Sequence, residues 1–426
     1  KMLDYKKIGL YLLEKRKMHQ LTQKQLADQL NISFQAVSRW EKGLSIPAVD
    51  LLNELANLFH VTVDEILKGE DKWPVFSYEK SGVDVTKIDL INQDLKTLFN
   101  QYSYNPAFRG AIYDLNDHSF SQKSLQIVSK VQEPVTKQKL AMEYGYIQEL
   151  VEDIICTCIN DLLMIGAQPL FLTETLIMGH LNKEILESII RAFNIFSKKY
   201  DINLLTGQCS IKSQSLQLND CLISTTITGI LDKSKEIYTF YITEGDIILA
   251  IESNGLHHYG YSLIDTLIST IPEIKKEVIN GHCFIEEIMK PQYCYYESLI
   301  DLIDKKRVKG LVNISGCGFP RNLTRVIPQG LCANIDLAKI KMPPIFHCLK
   351  KYLKVSDQEM LNTFNCGVGY IVIVDVNKQV EVLNHINRYF PCKAIGVIQS
   401  GQKKIILRNS LNWDKYLETS KKGVLI

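Results

Sequence analysis

Two places in this chain hold residue types and spacings that could do chemistry. In SFQAVSRWEKG, Gln35 and Arg39 stand four apart, so a helix there carries an amide and a guanidinium on one face. Much later come three glycine-bearing loops: SNGLHHYGYSL at 253–263, SGCGFPRNLTRVIP at 315–328 and FNCGVGY at 364–370. Glycine lets the backbone turn sharply and bring its amides close to a phosphate. Each pattern alone also suits plain architecture, because exposed Gln and Arg occur on any helix and glycine commonly serves tight turns. The eleven cysteines have no zinc-ribbon or CxxC spacing. Cys156 and Cys158 lie in the apolar run VEDIICTCINDLLMIG and are expected to be buried.

The elements that must position these groups follow from length and periodicity. A chain of 426 residues exceeds one hydrophobic core, so at least two domains are expected. With 46% hydrophobic and 23% charged residues the composition is that of a soluble globular protein. A net charge of +2 neither marks nor excludes nucleic-acid binding. The opening KMLDYKKIGLYLLEKRKM is too charged for a signal peptide, and no apolar run approaches the ~20 residues of a membrane span. With so many free thiols, the expectation is a cytoplasmic protein without a membrane partner.

The first seventy residues read as short helices. Ile8, Leu10, Leu12 and Leu13 line the first. Thr22 can cap the second, where Leu26, Ala27 and Leu30 point inward. Asn31-Ile32 makes a turn, and Ser33 can cap a helix over 34–41 with Ala36, Val37 and Trp40 inward. Gly43 suits the helix end, and Pro47 opens the next helix. GEDKWPVF at 69–76 reads as a linker. From 78 to 407, strand-like runs such as LISTTITGIL, DIILAIES and GYIVIVDV alternate with helical stretches, which argues for α/β or α+β architecture.

Residues 5–68, above all TQKQLADQLNISFQAVSRWEKGLSIP, resemble the Cro/C1-type (XRE) helix-turn-helix family. The resemblance implies that the helix after Ser33 enters the major groove of a double-stranded operator. Gln35 and Arg39 then become base readers, suited to adenine and guanine, with Phe34 and Ser38 as neighbours. Gln23 and Lys24 become phosphate contacts. Such readers bind as dimers. A small helical bundle for protein contacts is the competing reading.

Residues 78–407 resemble aminoimidazole ribonucleotide (AIR) synthetase and its superfamily, which includes selenophosphate synthetase, thiamine-phosphate kinase and the formylglycinamidine synthase core. The segments YEKSGVDV, CINDLLMIGAQPLFLTETL, SNGLHHYGYSL, MKPQYCYY, VNISGCGFPRNLTRVIP and MLNTFNCGVGYIVIV follow in family order. The resemblance implies two α/β halves, a dimer through sheets of the first half, and a cleft for Mg-ATP and a phosphorylated substrate. Phosphoryl transfer needs magnesium, and magnesium needs hard carboxylate ligands. The family takes these from a DGVGTK loop, from the Asp after the central Asn, and from a GGE turn. Here the first aligns with QEPVTK, where the acidic position is Gln132, Glu133 and Val135 replace glycines, and Pro134 removes an amide donor. The second persists as Asp161, a weak metal candidate alone. The third has become Gln208.

The expected architecture is therefore an all-α helix-turn-helix domain at 1–70, then an α/β (α+β) AIR synthetase-like unit of two subdomains, 78–232 and 240–408, with a tail at 409–426. The expected function is a DNA-binding regulator, a homodimeric repressor, with a pseudo-enzyme unit that has no certain cofactor and no catalytic residue. Its candidate ligand residues are Lys96, Thr136, Lys137, Asn160, Asp161, Asn254, Gly255, His257, Gly316, Gly318, Asn365 and Gly367. The ligand would be a nucleotide or other small phosphorylated metabolite, or a protein inducer would dock instead. Two alternatives stand beside it: a working Mg-ATP-dependent synthetase or kinase that regulates its own gene, and a mobile-element or defence-system repressor released by a protein.

Overall fold

The structure is a computed structural model. It describes residues 3–19, 21–59, 61–71, 76–81, 104–105, 110–114, 124–205, 207–217, 220–314, 316 and 318–413. The chain forms two compact units, Lys1–Val75 and Phe76–Ile426.

The first unit is five helices: α1 Tyr5–Met18, α2 Gln23–Gln29, α3 Phe34–Glu41, α4 Val49–Phe59 and α5 Val63–Lys68. Thr22 caps α2 through a full capping box with Gln25, and Thr62 caps α5 likewise with Glu65. Ser33 has the backbone conformation of a cap, but its hydroxyl makes no capping hydrogen bond, unlike the expectation. Ile8, Leu12, Leu26, Leu30, Val37, Trp40, Leu55 and Phe59 form the core. In α1 the buried stripe is Ile8, Tyr11, Leu12, Lys15 and Arg16, spaced at the 3.6-residue period. Leu10, expected along the apolar line, is 63% exposed because it falls off that stripe. Gly9 sits where α1 crosses the end of α3: a Cβ there would lie 2.3 Å from the Trp40 carbonyl oxygen. Glu70 and Asp71, read as linker, are held on α1: Lys7 pairs with Glu70, and Asp71 accepts from the Tyr11 hydroxyl at 2.6 Å and from Lys15.

The second unit has two lobes. In the first, seven strands pair among the described residues: β1 Tyr104–Asn105, β2 Gly110–Asp114, β3 Leu125–Gln132, β4 Gln168–Met178, β5 Asn203–Leu204, β6 Gln208–Ile211 and β7 Cys221–Asp232. Their order is β1-β2-β3-β7-β4-β5, with β6 also on β4. Helices α6 Val135–Tyr144, α7 Ile147–Leu163 and α8 Lys183–Lys199 accompany them. β7 alternates strictly between buried and half-buried residues, the mark of a sheet with one face on the core. α7 is buried along nearly all its length, and Cys156 and Cys158 are fully buried within it, as expected.

The second lobe carries β8 Ile247–Glu252, the short pair β9 Val278–Ile279 and β10 His282–Cys283, then β11 Gly310–Asn313, β12 Leu331–Asp336, β13 Val368–Val374, β14 Cys392–Ser400 and β15 Ile405–Arg408. Six of these form a sheet in the order β11-β13-β8-β14-β12-β15. Every residue of β13 is buried, which its unbroken apolar run VGYIVIV foretells. Leu163, at the end of α7, packs into the same core as Leu249, Tyr295, Leu311 and Tyr370, so the first lobe's central helix reaches into the second lobe. None of the described helices is long and apolar enough to cross a membrane.

Candidate functional site

In the first unit, α3 runs over the residues expected from the sequence. Its inner side places Val37 and Trp40 in the core. Its outer side leaves Phe34, Gln35 and Arg39 exposed, with Phe34 at 52%. Ser38 is half-buried beside them, and Ser33 and Lys24 are exposed. The expected reading residues therefore do share one solvent-facing surface.

What fixes the pitch of that surface is an internal ion pair. Arg16 on α1 meets Glu41, the last residue of α3, through two hydrogen bonds: Nε to Oε1 at 2.5 Å and Nη2 to Oε2 at 2.9 Å. Arg16 Nη1 also reaches the Leu21 carbonyl at 2.7 Å. Gln23 donates its side-chain nitrogen to Glu41 Oε2 at 2.7 Å. One carboxylate thus ties α1, α2 and α3 together. The side chain of Gln23, read as a phosphate contact, is engaged inside the domain instead.

In the second unit, the candidate residues converge on the joint between the lobes. Asn365 is a clamp. It accepts from Ser253 Oγ at 3.1 Å and from the Gly367 amide at 2.9 Å, and it donates to the Gly255 carbonyl at 2.9 Å. Asn322 holds the neighbouring loop through the carbonyls of Gly316 and Gly318, at 3.0 and 2.7 Å. His257 shares its Nδ1 with the Ile314 carbonyl at 3.2 Å. Asn254 donates to the Pro291 carbonyl at 2.6 Å. The three glycine loops are so joined into one network.

Several expected ligand residues are consumed by that network. Lys137 and Asp153 are both fully buried and pair at 2.9 Å. His258 Nδ1 lies 3.1 Å from the same carboxylate, and the Gln292 amide donates to its other oxygen at 2.8 Å. Burial alone would raise the Asp153 pKa, but Lys137, His258 and the Gln292 amide together hold it below the usual carboxylate range. Burial also lowers His257 to about 4, against the opposing pull of Asp153, so its ring is neutral near pH 7. Asn160 donates to the Tyr293 carbonyl at 2.8 Å and accepts from the Tyr295 amide at 2.9 Å. Thr136 meets Ser262 across the joint at 3.0 Å. Lys137 and Asn160, expected to hold a ligand, therefore stitch the lobes instead. Lys96 lies outside the described residues.

Asp161 is 1% exposed. Its Oδ2 accepts from the Gln132 side-chain amide and pairs with Lys130 Nζ at 2.6 Å. Its Oδ1 accepts from Asn313 Nδ2 at 2.9 Å. Gln208 is exposed on β6. Magnesium binds through several anionic oxygens and repels N–H donors. Here one carboxylate already faces an ammonium and two amide nitrogens, so the residues do not fit the metal that the fold's relatives imply. Among the described residues, no group of three His, Cys, Asp or Glu side chains is placed to hold a metal. Sequence reasoning missed Lys130, Asp153, His258, Gln292 and Asn313. Only Lys130 carried a local signal, since it stands two residues before Gln132 on one strand and so shares its face.

A helical unit with an outward amide and guanidinium, followed by a two-lobed α/β unit with clamped glycine loops, defines a helix-turn-helix protein joined to a two-lobed α/β body. Comparison with known proteins agrees. Residues 12–66 match the helix-turn-helix family, 124–231 match "AIR synthase related protein, N-terminal domain", and 243–408 match its C-terminal domain. The phosphoribosylformylglycinamidine cyclo-ligase of Caldicellulosiruptor saccharolyticus is 30% identical over 347 residues, 78% of this chain and 99% of the relative. That of Thermodesulfovibrio yellowstonii is 28% identical over 344 residues, with the same coverage. The chain belongs to the AIR synthase related family and carries a helix-turn-helix domain. Among solved structures, the HypE-HypF complex shares the fold with a TM-score of 0.52 at 16% identity, covering 75% of this chain and 95% of that one. Phosphoribosylformylglycinamidine synthase II from Thermotoga maritima does so with a TM-score of 0.50 at 14% identity. The match covers 85% of this chain but spans about half of that one, 53%.

Proposed function

We propose that the protein is a DNA-binding transcriptional regulator, a dimeric repressor whose AIR synthase related unit serves as dimeriser and receptor and transfers no phosphate. The observation that carries the reading is the outward presentation of Gln35 and Arg39 on a helix whose other side is locked into the core. An amide suits adenine and a guanidinium suits guanine, while Lys24, exposed in the first turn of α2, suits a phosphate contact. Two readers on a two-fold axis meet half-sites roughly 34 Å apart, or a multiple of it.

The dimer is supported by the outer face of the first-lobe sheet. Ile127 and Val131 on β3 are 36% and 61% exposed. They stand opposite Ile230 and Thr226 of β7, and Thr226 stands opposite Thr173 of β4. This uncharged patch on a β-sheet suits burial against a second copy. A receptor role is supported by three buried polar atoms without a partner: Asn254 Oδ1, His257 Nε2 and Asn313 Oδ1. Their other ends donate to carbonyls or to Asp161, which fixes these three atoms as acceptors. An effector that reaches these atoms must donate hydrogen bonds, which the base amine and ribose hydroxyls of a nucleotide can do and its phosphates cannot.

The test is fluorescence anisotropy with DNA from upstream of the protein's own gene, with and without purine nucleosides and nucleotides. Retention at low salt with sequence preference is expected, and a purine that changes affinity identifies the effector class. Equal binding to scrambled DNA at every salt concentration would overturn the regulator reading. Operator binding that ignores purines but is released by a protein from induced cells would assign the receptor to a protein inducer.

A further inference from the structure

The Asp161 shell holds a feature that goes beyond DNA reading and stands whether or not α3 binds an operator. β3 has a side-chain period of two, so Lys130 and Gln132 point to the same face. Asp161 comes from the last turn of α7, and Asn313 is the last residue of β11, on the other lobe. Three elements from two lobes thus meet at one carboxylate. The Asp161 side chain is 2% exposed and that of Lys130 is 13% exposed. A carboxylate so enclosed needs a cation, because burying it unpaired is costly. A divalent ion would ordinarily need further anionic oxygens around it. Among the described residues, no group of three His, Cys, Asp or Glu side chains gathers here. The neighbours Gln132 and Asn313 aim N–H groups at Asp161, the orientation that complements a lone carboxylate with an ammonium and opposes a metal.

We propose that Lys130 is a tethered cation in the place of a divalent ion: its ammonium neutralises Asp161 from within the chain, so the joint between the lobes closes without metal. The geometry supplies both parts of the claim. The 2.6 Å contact gives the charge, and the Asn313 bond carries it across to the second lobe. About two turns earlier on α7, the Lys137–Asp153 pair is likewise completed from the second lobe, by His258 and Gln292.

The test uses full-length protein and follows thermal unfolding and calorimetric titration with magnesium chloride. Wild type should show no magnesium-dependent change in melting temperature and no saturable heat. Lys130→Ala leaves Asp161 unpaired and should melt lower, with or without magnesium, because the Gln132 and Asn313 N–H groups still face that carboxylate. Lys130→Ala/Asp161→Asn removes both charges and should melt above the single variant while ignoring magnesium. Lys130→Ala/Gln132→Asp replaces one N–H donor by a second carboxylate and should regain stability with magnesium, the folded-to-unfolded ratio rising about tenfold at ten times the ion's dissociation constant. This last variant answers the question if the single variant does not fold. Magnesium stabilising wild type as much as Lys130→Ala/Gln132→Asp would overturn the proposal. So would a Lys130→Ala protein that melts like wild type, or a Lys130→Ala/Gln132→Asp protein blind to magnesium.

Discussion

Replacing Glu41 by alanine should loosen the whole helix-turn-helix unit, because Glu41 is buried inside it. Its carboxylate accepts three hydrogen bonds, two from Arg16 and one from Gln23, and its side chain is 4% exposed against 10% for Arg16. Breaking a buried pair from one side costs about 3–5 kcal/mol, because the remaining charge stays buried without compensation. A unit of 75 residues commonly has a total stability of about 4–11 kcal/mol, so about a quarter or more of it would go. At roughly 4–8 °C per kcal/mol for a domain of this size, the transition should fall by about 12–40 °C. Hydrogen exchange of full-length protein, read on peptides from α1 to α3, isolates this unit from the larger one. The control is Arg16→Met/Glu41→Leu, which removes both charges and should recover most of the loss. The reasoning fails if Glu41→Ala leaves exchange within α1 and α3 at wild-type rates. That result would mean the pair behaves like an exposed one, worth about 0–1 kcal/mol.

Three further outcomes follow from the same contacts. The His257 ring titrates at about 4 when folded against an ordinary 6.5, so between those values the unfolded chain binds the extra proton. Its contribution to stability is complete above 6.5 and falls as the pH drops towards 4. Urea unfolding should therefore lose about 2 kcal/mol from this group between about pH 7 and pH 5, and His257→Gln should remove that part of the slope. Lys137→Ala should destabilise the larger unit by about 3–5 kcal/mol by stranding the buried Asp153, and Lys137→Met/Asp153→Asn should recover much of it in a melting experiment. Phe34 puts an exposed apolar ring at the start of α3, the place to touch a thymine methyl. Phe34→Ala should weaken operator binding roughly fourfold, the worth of one buried methyl, and uracil in place of the contacted thymine should weaken wild type equally and the variant not at all.

Local pattern announced the reading helix. The Thr22 cap, the bounds of α3 and the outward position of Gln35 and Arg39 all depend on residues within one or two turns, and period and capping rules act at that range. The Arg16–Glu41 bridge was not readable, since it joins residues 25 apart. In the larger unit the loss of metal carboxylates at Gln132 and Gln208 was visible by alignment of motifs. The fate of the remaining polar residues was not. Lys137, Asn160 and Asn365 find partners on the opposite lobe or in distant loops, up to 153 residues away for Lys137. A residue type inside a motif says what chemistry is on offer. It does not say whether the fold spends that chemistry on a ligand or on itself. Lys130 shows the converse: alternation placed it beside Gln132, yet only the α7 carboxylate in front of it gives that position meaning.

The central claim is that α3 meets base edges through an amide and a guanidinium. Its most direct measurement is operator affinity of Gln35→Ala/Arg39→Ala against wild type, alongside a scrambled duplex at the same salt. Each paired contact is worth about 1–3 kcal/mol, so specific binding should fall roughly 30-fold to ten-thousandfold while scrambled binding stays level. Equal affinity of variant and wild type for the operator, with the fold intact, would contradict the account.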